Sequence, residues 1–88
     1  MGTLPLKQEV IRDLVRITNF YDSVGRDLEA AESWAAYKYV DDSGIPPTGS
    51  DEARHLDSLL GEAISFLEDR RHFFLAKEVR ELRAAVDK

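Results

Sequence analysis

Cysteine is absent from this 88-residue chain, and only three prolines and five glycines interrupt it. Without cysteine, neither a disulfide framework nor a thiolate metal site can support the fold, a composition typical of a reducing compartment. The chain also has no apolar run long enough for a signal peptide or a membrane span. We therefore expect a cytoplasmic protein without membrane association, folded as a single helical domain over residues 1–88 with a modest core.

Signatures of catalysis are also missing. No serine stands in a Gly-x-Ser-x-Gly setting, and the loop from Gly44 to Gly49 lacks the lysine and the preceding strand of a phosphate-binding loop. Adjacent carboxylates such as Asp41 and Asp42 are expected as solvated surface, because 33% of the residues are charged. The sequence therefore predicts a protein that is not an enzyme and uses no cofactor.

Basic residues are outnumbered, since 12 lysines and arginines stand against 17 acidic residues for a net charge of −5. A field of this sign repels phosphate, and no zinc, helix-turn-helix or RNA-binding signature is present, so nucleic acid is not the expected partner. One basic concentration comprises Arg70, Arg71, His72, Arg80 and Arg83. Interleaved acidic residues favour an ion-paired helix surface. A repressor that contacts nucleic acid through Arg70 and Arg71 remains the second alternative function.

The strongest pattern that is present is a series of apolar residues at alternating steps of four and three. Its members are Val10, Leu14, Ile17, Tyr21, Val24, Leu28, Ala31 and Ala35. Such spacing is typical of one face of an amphipathic helix, predicted here over about residues 5–40. Gly25 argues for a break, but the pattern passes it without a change of phase, and we favour one unbroken helix.

A loop and a second helix follow. Residues 41–50 are dense in glycine, proline and serine, so they form the predicted loop. Ser50 is a suitable N-cap, and the apolar spacing after it predicts a helix over about residues 51–86. No glycine or proline follows Gly61, which favours continuity over a short turn near Arg70.

Two long helices joined by one loop predict an all-α fold, an antiparallel helical hairpin. Its apolar faces are wider than one neighbouring helix covers, and the residues left over are Ile11, Phe20, Trp34, Phe66 and Phe73. Pairing of two hairpins into a four-helix bundle, and hence a homodimer, would bury them. The alternative is a monomeric bundle of three or four shorter helices with bends near Gly25 and Arg70.

Two residue pairs have the spacing of metal ligands. Glu52 with His55, and Asp69 with His72, each stand three residues apart, which places both side chains on one face of a helix, as in di-iron carboxylate bundles. First-turn acids and surface ion pairs explain the same spacing in so charged a chain. We therefore predict no bound metal and keep a metal-carboxylate helical bundle as the first alternative function.

Aromatic residues gather near the end of the first predicted helix, at Trp34, Tyr37 and Tyr39. Rigid aromatic side chains with polar tips are common anchors of protein interfaces, although the same residues could simply fill the wide end of a bundle. Together with Arg70 and Arg71 they are the candidate partner-binding residues. The sequence thus predicts a non-enzymatic protein–protein interaction module, a homodimer that docks on another protein as a small regulator, inhibitor or adaptor.

Overall fold

The computed structural model describes residues 5–86, and every regular element in that range is an α-helix. The elements are α1 (Leu6–Ser23), α2 (Asp27–Ser43), α3 (Asp51–Asp69) and α4 (Phe73–Val86). The predicted all-α class is confirmed.

The chain divides between Ile45 and Pro46 into two compact units. In the first unit α1 packs against α2, and in the second unit α3 packs against α4. Each unit is therefore a helical hairpin whose two helices are joined by a three-residue connection. Helical hairpins are found as predicted, but each forms within one predicted arm rather than between the two arms. The single domain over residues 1–88 stays a prediction.

The first predicted helix is interrupted at Gly25, so the prediction of unbroken helix over residues 5–40 was wrong. Gly25 has a φ of 77°, in the left-handed region, and its N–H donates to the carbonyl of Asp22 at 3.2 Å. The N–H of Arg26 donates to the carbonyl of Tyr21 at 2.9 Å. This pair of bonds is a Schellman motif, which satisfies the last carbonyls of α1 and turns the chain.

The second predicted helix is interrupted in the same way near Arg70, again contrary to the favoured prediction. Arg71 has a φ of 62°, and its N–H donates to the carbonyl of Glu68 at 3.0 Å. The N–H of His72 donates to the carbonyl of Leu67 at 2.8 Å. The turn is a second Schellman motif built without glycine, so the sequence carried no glycine signal for it.

The cores of the two hairpins use the same helical positions. Buried residues of α1 are Val10, Asp13, Leu14, Ile17, Thr18 and Tyr21, and those of α3 are Leu56, Leu59, Leu60, Ala63, Ile64 and Leu67. Corresponding positions are 46 residues apart, as are Ala30 and Ala76 at the start of the buried faces of α2 and α4. The two units are therefore built to one plan, but the first has polar residues where the second has apolar ones.

The turn at Gly25 also resets the phase of the apolar pattern. The predicted series continued through Leu28, Ala31 and Ala35, and all three are exposed in α2. The buried residues of α2 are instead Ala30, Ser33 and Val40. The apparent continuity of the pattern across the turn was therefore coincidental.

The loop between the hairpins is shorter than predicted. Helix α2 extends through Ser43 and ends at Gly44, which has a φ of 81° and donates its N–H to the carbonyl of Val40 at 2.8 Å. The predicted N-cap at the start of α3 is confirmed, because the hydroxyl of Ser50 accepts a bond from the N–H of Ala53 at 3.1 Å.

Candidate functional site

The predicted aromatic residues all lie on α2, and two of them are in contact. The ring centroids of Trp34 and Tyr37 are 4.7 Å apart with the planes inclined at 32°. Trp34 is 47% exposed, whereas Tyr37 is half-buried. Tyr39 is exposed but stands two residues beyond Tyr37, and side chains at that spacing do not share a helix face. The structure therefore joins Trp34 and Tyr37 and leaves Tyr39 apart.

An open groove runs beside Trp34 at the turn end of the first hairpin. It has a volume of about 410 Å³ and is lined by Thr18, Asn19 and Asp22 of α1 and by Asp27, Ala30, Ala31 and Trp34 of α2. We call it the Trp34 groove. Asp22 and Asp27 are exposed, so they give the groove a negative rim. An aromatic wall, small alanines and two carboxylates suit a ligand that is both apolar and basic.

The turn end of the second hairpin has the opposite character. Residues Arg70, Arg71, His72, Phe73 and Phe74, which we call the 70–74 tip, are all exposed. Phe73 is 60% exposed and Phe74 is 89% exposed. Phe73 is one of the apolar residues that the sequence left for a second hairpin to cover. The buried residues of α4 are Ala76, Val79 and Leu82, so both phenylalanines lie off its buried face.

The two candidate arginines, Arg70 and Arg71, lie within this tip. The guanidinium of Arg70 lies over the ring of Phe66 at 5.0 Å from the centroid, a cation–π contact at an exposed site. Arg71 holds its left-handed backbone conformation although a side chain there is strained. The predicted partner-binding residues thus fall on two surfaces, one in each hairpin.

The other two arginines of the basic concentration are paired within the second hairpin. Arg80 donates to Glu68 at 2.6 Å, and Arg83 donates two bonds to Asp57, at 2.8 Å and 3.0 Å. The hydrogen bonds from Arg83 hold the pKa of the Asp57 carboxyl below its ordinary value, against the opposing effect of partial burial. The ion-paired helix surface predicted from the sequence is therefore present at Arg80 and Arg83.

The residues considered as metal ligands, Glu52, His55, Asp69 and His72, are all exposed. Within residues 5–86 no group of three or more histidine, aspartate or glutamate side chains is placed to hold a metal ion. A metal-carboxylate bundle would therefore require ligands from a second copy, and it stays a prediction.

No protein family matches the chain, and no curated protein or solved structure matches it significantly. Among the described helices, none combines the length and apolar character needed to cross a bilayer. The candidate surfaces are therefore argued from their own geometry and chemistry.

Sequence reasoning missed three of the exposed residues that shape these surfaces. Phe74 and Leu28 occupy the same position in the second helix of each hairpin, and Leu28 is 72% exposed. Asp27 lines the Trp34 groove. The available signal was Gly25, because a glycine closing a Schellman motif would have shown that the helix ends and that the residues after it start a new face.

Proposed function

We propose that this protein is a non-enzymatic protein–protein interaction module, a homodimer that docks on another protein as a small regulator, inhibitor or adaptor. The observation that carries the proposal is the exposure of large apolar side chains on the second helix of each hairpin, above all Trp34 in the middle of α2 and Phe73 and Phe74 at the start of α4. Removing one such side chain from water is worth about 1.5–3 kcal/mol, so a partner that covers several of them gains a large share of its binding energy.

The small size of the folded units supports self-association. Each unit is a pair of helices, and a chain of 88 residues buries only a modest fraction of its surface on folding. A second copy adds burial without any new sequence. Homodimerisation is therefore the simplest way to cover the exposed aromatic residues until a docking partner displaces the second copy from them.

A non-enzymatic role is supported by the surroundings of Asp57, whose pKa is lowered. Its carboxylate stays charged, and two hydrogen bonds from Arg83 balance that charge on the side of the second hairpin. A displaced pKa at a catalytic centre usually serves proton transfer, whereas here the carboxylate is held in a structural ion pair. The arrangement stabilises the contact between α3 and α4.

The test compares the proteins retained from a cell extract by immobilised wild-type chain, by the Trp34→Ala variant and by the control Lys38→Ala. Lys38 is exposed on the same helix but does not line the Trp34 groove. We expect Trp34→Ala to lose retained proteins that the wild type and the control keep, with unchanged helical circular dichroism. Identical retention by all three would contradict the assignment of Trp34 to a partner-binding surface.

A further inference from the structure

We propose that two copies of this chain associate by exchanging tips, so that the 70–74 tip of each copy binds the Trp34 groove of the other. The inference rests on the homodimer proposed above and states which surfaces build it. Both surfaces lie at the turn end of their own hairpin, beside a Schellman motif.

Charge is the first reason to match these surfaces. The tip presents the guanidinium groups of Arg70 and Arg71, and the groove presents the carboxylates of Asp22 and Asp27. Two copies of a chain with net charge −5 repel each other on average. Association therefore needs a local match of opposite charges, and the tip and the groove supply one.

Apolar complementarity is the second reason. Phe73 and Phe74 project from the tip, and the groove offers the ring of Trp34 beside the small side chains of Ala30 and Ala31. Aromatic rings pack well in offset or edge-to-face contact, and an arginine guanidinium binds well over a tryptophan ring.

Two residues of the matched surfaces are unfavourable where they stand, which is the third reason. Asp22 lies in the last turn of α1, at the negative end of the helix dipole, where an acidic residue is disfavoured. Arg71 occupies a left-handed backbone position, with a φ of 62°. Asp22 and Arg71 each lower the stability of their own hairpin. A favourable contact with the opposite charge on a second copy would offset that loss.

A second copy fits better than other occupants because it uses both surfaces at once. An acidic peptide or an anionic membrane would match the basic, aromatic tip and leave the acidic groove uncovered. Each chain carries one tip and one groove, and in the proposed dimer two copies exchange them reciprocally, with two identical contacts related by a two-fold axis.

The experiment uses charge reversal on full-length chains. The tip variant carries Arg70→Glu and Arg71→Glu, and the groove variant carries Asp22→Lys and Asp27→Lys. Each variant alone should dimerise roughly 100-fold more weakly than the wild type, because like charges then face each other. Mixed in equal amounts, the two variants should form a heterodimer of near wild-type affinity, since every tip again meets a groove of opposite charge.

Sedimentation velocity measures the mass of the assembly. The fluorescence emission of Trp34, the single tryptophan, reports whether the Trp34 groove is covered. The matched control carries Lys38→Glu and Lys77→Glu, the same change of net charge as in the tip variant, on exposed residues outside both surfaces. We expect this control to dimerise as the wild type does. Rescue by mixing confirms the exchange. A wild-type dimer that neither charge reversal weakens overturns the exchange and leaves the homodimer intact.

Other outcomes separate the two proposals. A wild-type chain that stays monomeric at every concentration overturns the homodimer and the exchange together. A monomer that binds vesicles of anionic lipid through Phe74 also overturns the exchange and assigns the tip to a membrane surface. Growth beyond two copies contradicts reciprocal closure.

Two milder variants keep the test decisive if a charge reversal unfolds the chain. Arg71→Gly removes one positive charge and relieves the strained backbone, and Asp22→Lys removes an acid from the negative end of a helix. Both should unfold at higher denaturant concentration as monomers and yet dimerise at least several-fold more weakly. Unchanged dimerisation in both variants overturns the exchange.

Discussion

Arg71 holds in the second hairpin the left-handed backbone position that Gly25 holds in the first, with φ angles of 62° and 77°. Both residues follow the C-cap of a helix and close a Schellman motif with the same two backbone hydrogen bonds. Only glycine adopts this conformation without a steric penalty from Cβ, so the two turns differ in strain but not in geometry.

Replacing Arg71 with glycine should therefore stabilise the folded chain. The left-handed conformation costs a side-chain-bearing residue about 1–2 kcal/mol, and the extra freedom of glycine in the unfolded chain returns about 0.4–1 kcal/mol. We expect a net gain of about 0.5–1 kcal/mol in the free energy of unfolding, measured by urea denaturation at a protein concentration low enough to keep both chains monomeric. A loss of stability would show that the guanidinium contributes more to the fold than the strain removes.

The matched change at the first turn is Gly25→Ala, and it should destabilise. A Cβ at Gly25 meets no atom within 4 Å, so the effect comes from the backbone conformation alone. The strain of about 1–2 kcal/mol is partly offset by the reduced freedom of alanine in the unfolded chain, so we expect a decrease of about 0.5–1 kcal/mol in the free energy of unfolding by the same urea measurement. A neutral result would mean that the turn can relax out of the left-handed region.

The ion pair between Asp57 and Arg83 should make stability fall in acid. Because Arg83 holds the pKa of Asp57 below its ordinary 3.8, the unfolded chain binds the proton first as the pH falls. The contribution is fully present above about pH 5, declines as the pH falls through the ordinary value of 3.8, and is lost below the folded pKa. The side chains are 41% and 37% exposed, so it amounts to about 0.5–1 kcal/mol.

Urea denaturation of wild type and Asp57→Asn at pH 7 and at pH 3 measures this effect. We expect the variant to be less stable at pH 7 and the difference to shrink at pH 3. The control is Glu62→Gln, because Glu62 is an exposed carboxylate in the middle of α3, where its replacement should change the stability little. A difference that is equal at both pH values would refute the linkage to Asp57.

Gly61 gives the Arg83 guanidinium room to reach Asp57. A Cβ at Gly61 would lie 3.1 Å from the Cζ of Arg83, closer than ordinary contact. Alanine is favoured over glycine within a helix by about 0.8–1 kcal/mol, and the displaced guanidinium offsets this gain. We expect Gly61→Ala to be nearly neutral in the wild type and stabilising by about 0.8–1 kcal/mol when Arg83 is alanine. If Gly61→Ala changed the stability equally with arginine and with alanine at position 83, the two residues would not be sterically coupled.

Ser33 is the clearest target for stabilising the first hairpin. It is fully buried, and its hydroxyl has no hydrogen-bond partner among the residues described, at the position where the second hairpin has Val79. We expect Ser33→Ala to raise the free energy of unfolding by about 1 kcal/mol or more. Ser58→Ala, at an exposed site of α3, controls for helix propensity and should gain about 0.5 kcal/mol. Equal gains at the two sites would mean that the buried hydroxyl is satisfied.

The sequence predicted helical structure between the turns correctly, because the spacing of apolar residues is informative where a helix is regular. The apolar series predicts the buried residues of α1 from Val10 to Tyr21, and the cap at Ser50 is where the composition placed it. The failures begin at the turns. A pattern that keeps its phase by chance hides the break at Gly25, and an arginine in a left-handed conformation gives no compositional signal at all.

The candidate site was predicted residue by residue but not as surfaces. Trp34, Arg70 and Arg71 were named from the sequence, and all three are exposed. Their neighbours depend on where each hairpin turns, which decides that Asp22 and Asp27 line the groove and that Phe74 points to solvent. Spacing along a helix assumed to be continuous could not supply that information.

Sedimentation equilibrium of the wild-type chain over a hundredfold range of concentration tests the central claim, that a second copy covers the exposed aromatic residues. We predict a mass that rises with concentration from one chain to two and then stays constant, with the emission of Trp34 moving to shorter wavelength over the same range. A mass of one chain throughout, with unchanged emission, would contradict the account.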